Sequence, residues 1–494
     1  MLSNNLKSSL KKESKMRQVL KEQLFIGEED ISKVEIDLKS RDDIPKLLLG
    51  LQSIYSDKET RKKLFNVLGQ LHPNVDKKNG RPGMDLWRIF VLSMLRLNLN
   101  CDYDRLQELA NQHGTLRKIL GISDLENIYF ELKTIKNNIA LLTPEILEQI
   151  NIIIVNFGHK VCNNKKKSLN AKCDSFVLET NVHFPTDSNL LYDSIRKTIE
   201  LTARLCNKYK LTGWRQKDHN IRKIKSICTL INNIKKGKPR KSDKLIQKER
   251  NLKKAYTKLI KKSKTFIDKS IISQKILENA CVIDEFKSIE NFIKYAKIII
   301  KQIEKRVFKN EKIPHDEKIF SVFEPHTEWI CKGKAKTPFE LGKRVSIVED
   351  QYGFILNGTI MDKQTDDKIA VPIMIKVKND FENLSTCSFD KGYYSKENKE
   401  DLSKILDFVI LPKKGKLSKK DQKLEQSDEF KKHRKKHSAV ESAINALEVH
   451  GLDRCLDKGI YGFQRYVAMA IASRNIQIIG AIILFRLVKK RLVA

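Results

Sequence analysis

The strand-forming runs of this 494-residue chain lie in two stretches that a long helical segment separates. Residues 171–184 are rich in strand-forming side chains, whereas residues 207–311 keep apolar side chains at helical spacing. Strand signals return further along the chain, at 318–324, 344–350, 353–361 and 368–377, and residues 386–411 follow the pattern strand, turn, helix, strand. The sequence therefore predicts a mixed sheet assembled from distant segments, with a helical insertion between them.

The charge of the chain indicates a polyanionic partner. The formal net charge is +35, and residues 206–270 alone hold 22 Lys and Arg against 4 Asp and Glu. A protein this basic is typical of those that bind nucleic acid by releasing counterions, and an anionic membrane surface is the competing partner. We expect a paired-helix arm in the basic segment, with lysines covering its polar face.

Several classes of protein are disfavoured. The nine cysteines are scattered without a CxxC pair, which argues against a zinc finger and favours reduced thiols in a cytosol. The first residues lack the apolar run of a secretory signal. The apolar run Ile476–Val488 is interrupted by Gly480 and Arg486, so we expect a buried C-terminal helix and no membrane span.

Residues 61–125 predict a compact helical unit. Helical patterns at 64–71, 85–99 and 103–121 are joined by short connections, the first of them a loop at 72–84 that contains two prolines and two glycines. Such helices fit either a helix-turn-helix-like DNA-binding module or a plain helical bundle. In both interpretations the side chains of Trp87, Phe90 and Leu95 belong to the core.

Three carboxylates stand out against their surroundings. Asp174 lies within an apolar strand, where Asp is depleted, and Asp390 ends another strand just before a turn. Glu441 lies on a predicted helix that ends at Gly451, beside an apolar stripe, so we expect it to face partly inward. Each has an ordinary alternative: an ion pair, a turn residue or an exposed helix position. Together they would suit two divalent metals that act on a phosphoryl group.

Several segments resemble the DDE transposases of bacterial insertion sequences, and most closely the ISNCY-type group. The resemblance rests on CDSFVLETNVHFPTDSNLLYDSIR (173–196), FDKGYYS (389–395) and HSAVESAINALEVHGLDRC (437–455), and it extends to 80–121 and 451–475. It is thinnest in residues 1–60 and across the basic segment.

The resemblance implies an α+β fold, a ribonuclease-H-like catalytic domain with a mixed sheet flanked by helices. The division that follows is a charged helical extension (1–60), a helical DNA-binding domain (61–165), a first catalytic segment (166–206), a basic all-helical insertion (207–311), a second catalytic segment (312–475) and a C-terminal helix (476–494). A helix within 186–206 would be capped by Asp187 or Ser188.

The resemblance also implies the chemistry. Asp174, Asp390 and Glu441 would be the three acids, and they would hold two Mg²⁺ or Mn²⁺ ions for hydrolytic nicking at element ends and attack of a 3′-OH on target DNA. Partners would be double-stranded DNA and a second protomer in a synaptic complex, in the cytoplasm of a bacterium at its nucleoid, without a membrane. Candidates for contact with nucleic acid are Trp214, Arg215, Arg434, Lys436 and His437, with core packing an equal alternative for Trp214.

One departure from related families concerns the cation before the third acid. Those families often show Arg four residues before the Glu, where this chain has His437, and Arg434 is seven residues before it. Two other functions remain open: a metal-dependent nuclease that cuts without joining strands, and a DNA-binding protein whose acids are inactive. The intact set of three acids argues against the second.

Overall fold

The computed structural model describes residues 19–20, 29–71, 83–123, 125–162, 168–237, 242–278, 284–331 and 338–493. Most of the loop predicted at 72–84, like much of the extension predicted at 1–60, lies outside the described residues. The chain divides into two compact units, unit 1 (1–181 and 342–494) and unit 2 (182–341).

The regular elements occur in the following order. The helices are α1 (Ile44–Ser56), α2 (Lys58–Gly69), α3 (Leu86–Asn98), α4 (Tyr103–Gln112), α5 (Gly114–Ile119), α6 (Leu132–Ile139), α7 (Pro144–Val161), α8 (Asp187–Lys208), α9 (Lys217–Lys236), α10 (Ser242–Leu277), α11 (Asp284–Ile303), α12 (Asp366–Asp380), α13 (Lys396–Ile405), α14 (Lys419–Gln426), α15 (Asp428–His437), α16 (Ala439–Leu447) and α17 (Gly459–Val493). The strands are β1 (Leu169–Thr180), β2 (Glu328–Cys331), β3 (Phe339–Glu349), β4 (Ile355–Ile360), β5 (Leu384–Phe389), β6 (Phe408–Ile410) and β7 (Arg454–Cys455).

The sheet of unit 1 is mixed, as the sequence predicts. Its strands follow the order β4, β3, β1, β5, β6, and β7 pairs with the far end of β1. The pairs β1–β3 and β3–β4 are antiparallel, whereas β1–β5 and β5–β6 are parallel. Because parallel strands need a crossover, α12 connects β4 to β5 and α13 connects β5 to β6.

One predicted strand is a helix. The run KIAVPIMIKV (368–377) lies inside α12, although it is rich in β-branched residues and contains Pro372. The helix starts at Asp366, directly after Thr365, and Asp366 and Asp367 form an acidic first turn that suits the positive end of a helix. The run at 318–324 is likewise not a strand. Pattern alone cannot separate a short apolar strand from a buried helix.

The N-terminal helices share one hydrophobic core with the sheet. The long helix α17 packs along α1, α3 and α7, and α7 and α17 also contact β4. Every residue of α3 is buried, and the predicted core side chains Trp87, Phe90 and Leu95 are fully so. Residues 61–165 therefore do not form a compact unit of their own, and the helix predicted at 476–494 is the second half of α17.

By length and composition α17 could also cross a membrane over Gly459–Lys489, and α6 with α7 passes the same test as a bent pair. The most apolar window of α17 is 61% buried inside the structure, against the helices of unit 1. The core helix of a soluble protein passes the same test. The prediction that the run Ile476–Val488 is buried holds only for its first part: most of residues 476–480 are buried, whereas Phe485, Leu487 and Val488 are exposed.

Unit 2 is mainly a helical bundle. Helix α8 packs against α9, α10 and α11, and α9 packs along α10 as the predicted helix pair. Its own hydrophobic core includes Leu191, Ile199, Tyr256, Leu259 and Ile299. Because α8 and β2 belong to unit 2, the insertion is longer than predicted: it begins near residue 182 instead of 207. The N-cap of α8 is Thr186, one residue before the predicted Asp187.

Glycine allows α1 and α17 to approach closely, and this contact can be tested. A Cβ atom on Gly480 would overlap the carbonyl oxygen of Lys46. We expect Gly480→Ala to lower the free energy of unfolding by about 1–3 kcal/mol, because the core there cannot take an added methyl group. Gly69→Ala is the control, since a Cβ atom on Gly69 meets no atom within 4 Å. Urea unfolding of both variants checks this, and equal midpoints would contradict the packing argument.

Candidate active site

Two of the predicted acids lie side by side on neighbouring parallel strands. In the β1–β5 pair Cys173 is opposite Phe389, so the next residues in register are Asp174 and Asp390. Neighbouring strands are about 4.8 Å apart. The backbone at Asp390 remains extended, with φ −77° and ψ 163°, so both side chains emerge on the same face. The sheet thus brings together two carboxylates that are more than 200 residues apart in sequence.

The turn after β5 fixes the position of Asp390. It begins a short 3₁₀ turn over Lys391–Tyr393, and the buried Tyr393 hydroxyl lies 3.1 Å from Ser346 Oγ. The Asn398 side chain donates to the Tyr393 carbonyl oxygen at 2.8 Å, which ties the turn to α13. Phe389 and Tyr393, on either side, are buried, whereas the Asp390 side chain is 56% exposed.

The third predicted acid approaches from a helix. Helices α15 and α16 are interrupted only at Ser438, α15 packs on β5 and β6, and α16 packs on β1. Val440, Ala443 and Leu447 form the buried side of α16, and Glu441 is solvent-exposed. The expectation that Glu441 faces partly inward is therefore wrong. A π-helical turn over Glu448–Leu452 follows α16, and the predicted stop lies in it, since Gly451 has φ +95°.

A fourth carboxylate, which the sequence analysis missed, belongs to the same group. Asp366 at the start of α12 accepts a hydrogen bond from Ser175 Oγ at 2.6 Å and lies 3.4 Å from an Arg344 guanidinium nitrogen. The missed signal was Thr365 followed by two acids, which is a helix start. Interpretation of this stretch as a strand concealed it.

Three other acids lie close enough to Asp174 to affect its charge. Burial, together with repulsion from Asp390, Asp366 and Glu441, raises the pKa of Asp174 to about 6. A hydrogen bond from the Ser175 backbone N–H to the Asp174 carboxylate, 2.7 Å long, opposes the shift. Such a concentration of negative charge around a buried carboxyl favours a bound cation.

The donor set fits a hard divalent cation through two of the acids. Mg²⁺ is commonly held by one or two carboxylates and keeps several waters, which Asp174 and Asp390 can satisfy. Across the described ranges of the chain, however, no three His, Cys, Asp or Glu side chains are arranged around one point that could hold an ion. The three predicted acids are therefore not gathered around one point, and the exposed Glu441 side chain would have to turn inward to join the other two.

Cations surround the acids. Arg434 donates from Nη1 to the Phe389 carbonyl oxygen at 2.9 Å, and its Nη2 lies 3.4 Å from Asp390 Oδ1. Lys172, two residues before Asp174 on β1, pairs with Glu349 at 2.7 Å. Lys436 is exposed on α15. A nucleic-acid backbone would therefore meet positive charge beside the carboxylates.

The other nucleic-acid candidates differ in accessibility. His437 is 7% exposed, and its Nδ1 lies 3.0 Å from Ser388 Oγ. Burial, with Arg434 nearby, lowers the pKa of His437 to about 4, so the ring is neutral at pH 7 and is a poor phosphate ligand. In unit 2, Trp214 is 4% exposed and donates to Ser273 Oγ at 3.0 Å, which favours core packing. Arg215 is exposed.

The raised pKa of Asp174 predicts a pH-dependent effect on stability. A folded-state pKa above the unfolded value favours folding at low pH, and this contribution is lost as pH rises from about 4 through about 6. Without divalent cations, Asp174→Asn should therefore raise the free energy of unfolding at pH 7.5 by up to about 2 kcal/mol, and the gain should vanish near pH 4. Urea unfolding with a chelator at both pH values measures it, and a gain independent of pH would contradict the charge origin.

In comparisons with known proteins, no family model, no curated protein and no solved structure matches the chain.

Proposed function

We propose that the protein is a DDE transposase and that unit 1 is its ribonuclease-H-like catalytic domain. The observation that carries the proposal is the adjacency of Asp174 and Asp390 at one register position of parallel strands. The strand order β4, β3, β1, β5, β6, with β3 antiparallel to its neighbours, supports the fold assignment, because a ribonuclease-H-like sheet has this order. Acids at the carboxyl end of β5 and within β1, flanked by cations, support the choice of a phosphodiester substrate.

The carboxylates would bind metal ions, and a neighbouring arginine would contact the phosphate. Two Mg²⁺ or Mn²⁺ ions held by the carboxylates would stabilise the attacking and leaving oxygens of an in-line displacement at phosphorus. Asp174 and Asp390 would hold them, Glu441 would complete the set once its side chain turns inward, and Asp366 would orient Ser175 beside Asp174. Arg434 is hydrogen-bonded to the carbonyl oxygen at the end of β5. Its guanidinium group would contact a phosphate oxygen after separating from Asp390.

The substrate would be double-stranded DNA. The net charge of +35 supplies non-specific attraction to the backbone, and the cations near the acids position a phosphate. Nicking at the ends of an insertion sequence and attack of the freed 3′-OH on target DNA would follow, in a synaptic pair of protomers at the bacterial nucleoid in the cytoplasm. A nuclease that only hydrolyses DNA would use the same residues.

Loss of one carboxylate should separate binding from cleavage. We expect Asp390→Asn to reduce Mg²⁺-dependent cleavage of duplex DNA by at least ~100-fold, because metal-ion catalysis supplies several kcal/mol, while DNA affinity stays within about twofold. Asp401→Asn on α13 is the control, since it makes the same change of charge at a half-exposed surface position. Gel-based cleavage and filter binding provide the two readouts. Cleavage by Asp390→Asn at the wild-type rate would exclude this site.

Strand joining distinguishes the transposase from the nuclease. A labelled duplex carrying the inverted repeat that flanks the gene is incubated with the protein, Mg²⁺ and a plasmid target. We expect labelled plasmid to form with wild-type protein and to be absent with Glu441→Gln, because the third acid is needed to complete the site. Shortened duplex without labelled plasmid would favour the nuclease.

A further inference from the structure

Helix α10 in unit 2 presents a row of exposed cations along one side. The helix has 36 residues, which corresponds to a length of about 54 Å. Arg250, Lys254, Lys258 and Lys261 are all exposed and follow one another at intervals of four, four and three residues. Residues at these intervals lie on the same face of a helix, so the four cations form a row about 16 Å long.

The row has one sign of charge. No Asp or Glu occurs between Arg250 and Asp268, a stretch that contains six lysines. Lys264, on the edge of the row, pairs with Glu304, but none of the four cations of the row forms an ion pair with an acid in the part of the chain that the structure describes. An ordinary solvated helix face mixes both signs, whereas an uncompensated row attracts a polyanion.

The opposite side of the helix holds the row in place. Tyr256, Leu259, Ile260 and Phe266 are buried in the core of unit 2, and Thr202 on α8 is hydrogen-bonded to Ser270 at 2.6 Å. The cations therefore stand on a packed element and not on a loop. A fixed row loses less conformational entropy on binding an extended ligand than mobile lysines would.

The neighbouring helix continues the same chemistry. Helix α9 packs along α10, and it exposes Arg222, Lys225, Ser226, Thr229 and Lys236 on one side. Cations interspersed with hydroxyl groups are the side chains that contact DNA phosphates without reading bases.

We propose that the exposed face of α10, defined by Arg250, Lys254, Lys258 and Lys261, binds the sugar-phosphate backbone of double-stranded DNA irrespective of sequence. The choice of DNA as the polyanion rests on the proposed function, but the surface is separate from the carboxylates and is tested by binding alone. Its contribution is electrostatic, so it anchors DNA and does not select a site.

The test changes the salt dependence of binding. In Lys254→Gln/Lys258→Gln/Lys261→Gln, the slope of log K against log salt for a 30-bp duplex should fall in magnitude by about 3, because each lost phosphate contact removes about 0.9. Two duplexes of unrelated sequence should show the same change. Circular dichroism and a thermal melt verify that the variant is folded.

A matched control removes the same charge from another helix of the same unit. Lys294, Lys297 and Lys301 are exposed on α11 at intervals of three and four residues, and their triple Gln variant should keep the wild-type slope. An equal fall in both variants would overturn the proposal in favour of bulk charge, as would an unchanged slope in the α10 variant.

Two further outcomes are separable. If the α10 variant loses binding to vesicles of anionic phospholipid but keeps its DNA slope, the row is a membrane surface and the proposal fails. Binding is measured in the Asp390→Asn background as well, where no cleavage is expected. If the α10 variant shows the expected fall of the salt slope in that background, but the wild-type protein never cleaves DNA, the proposed catalysis is refuted and the DNA-binding surface is retained.

Discussion

The parallel pairing of β1 with β5 is the constraint on which the site depends. This pairing sets Asp174 beside Asp390. The distance between the strands fixes the separation of the two backbones, and side-chain rotation changes the separation of the carboxylates only slightly. Two carboxylates so placed repel each other, and burial adds to the cost, as the raised pKa of Asp174 records. Two adjacent carboxylates do not themselves stabilise the fold, so the packing of the rest of unit 1 has to offset this destabilisation. Perturbed carboxyls in such surroundings are typical of functional sites.

The cations of the two units differ in whether a carboxylate lies beside them. In unit 1 Arg434 and Arg344 each lie 3.4 Å from an acid of the site, and Lys172 pairs with Glu349, so each of these cations has a carboxylate beside it. In unit 2 the row on α10 has no such neighbours among the described residues, and its field extends into solvent over about a Debye length. Local pairing permits the acids to coexist, whereas the uncompensated row can attract a distant polyanion.

Sequence patterns predicted features that depend on neighbouring residues in the chain, and they missed features that depend on packing between distant elements. The strands β1, β3, β4, β5 and β6 were readable, and so were Asp174 and Asp390, because an acid in or beside an apolar strand is visible in the sequence alone. Helix α12 was misread, since β-branched residues and Pro372 outweigh a helix start in pattern counting, and Asp366 was missed with it. The shared core of α3, α7 and α17 could not be predicted, because periodicity identifies a buried face but not the element that covers it.

Two of the basic residues before Glu441, His437 and Arg434, differ in burial and therefore in what they can contact. His437, four residues before the acid, lies under α15 against Ser388, and its lowered pKa keeps it neutral. Arg434 is one turn earlier, so it reaches past the helix to the Phe389 carbonyl oxygen and to Asp390. A guanidinium stays charged at any physiological pH and carries several donors, so it can hold the strand end and still offer a hydrogen bond to a phosphate. In the proposed transposase, Arg434 would therefore supply the cation that related families place four residues before the acid.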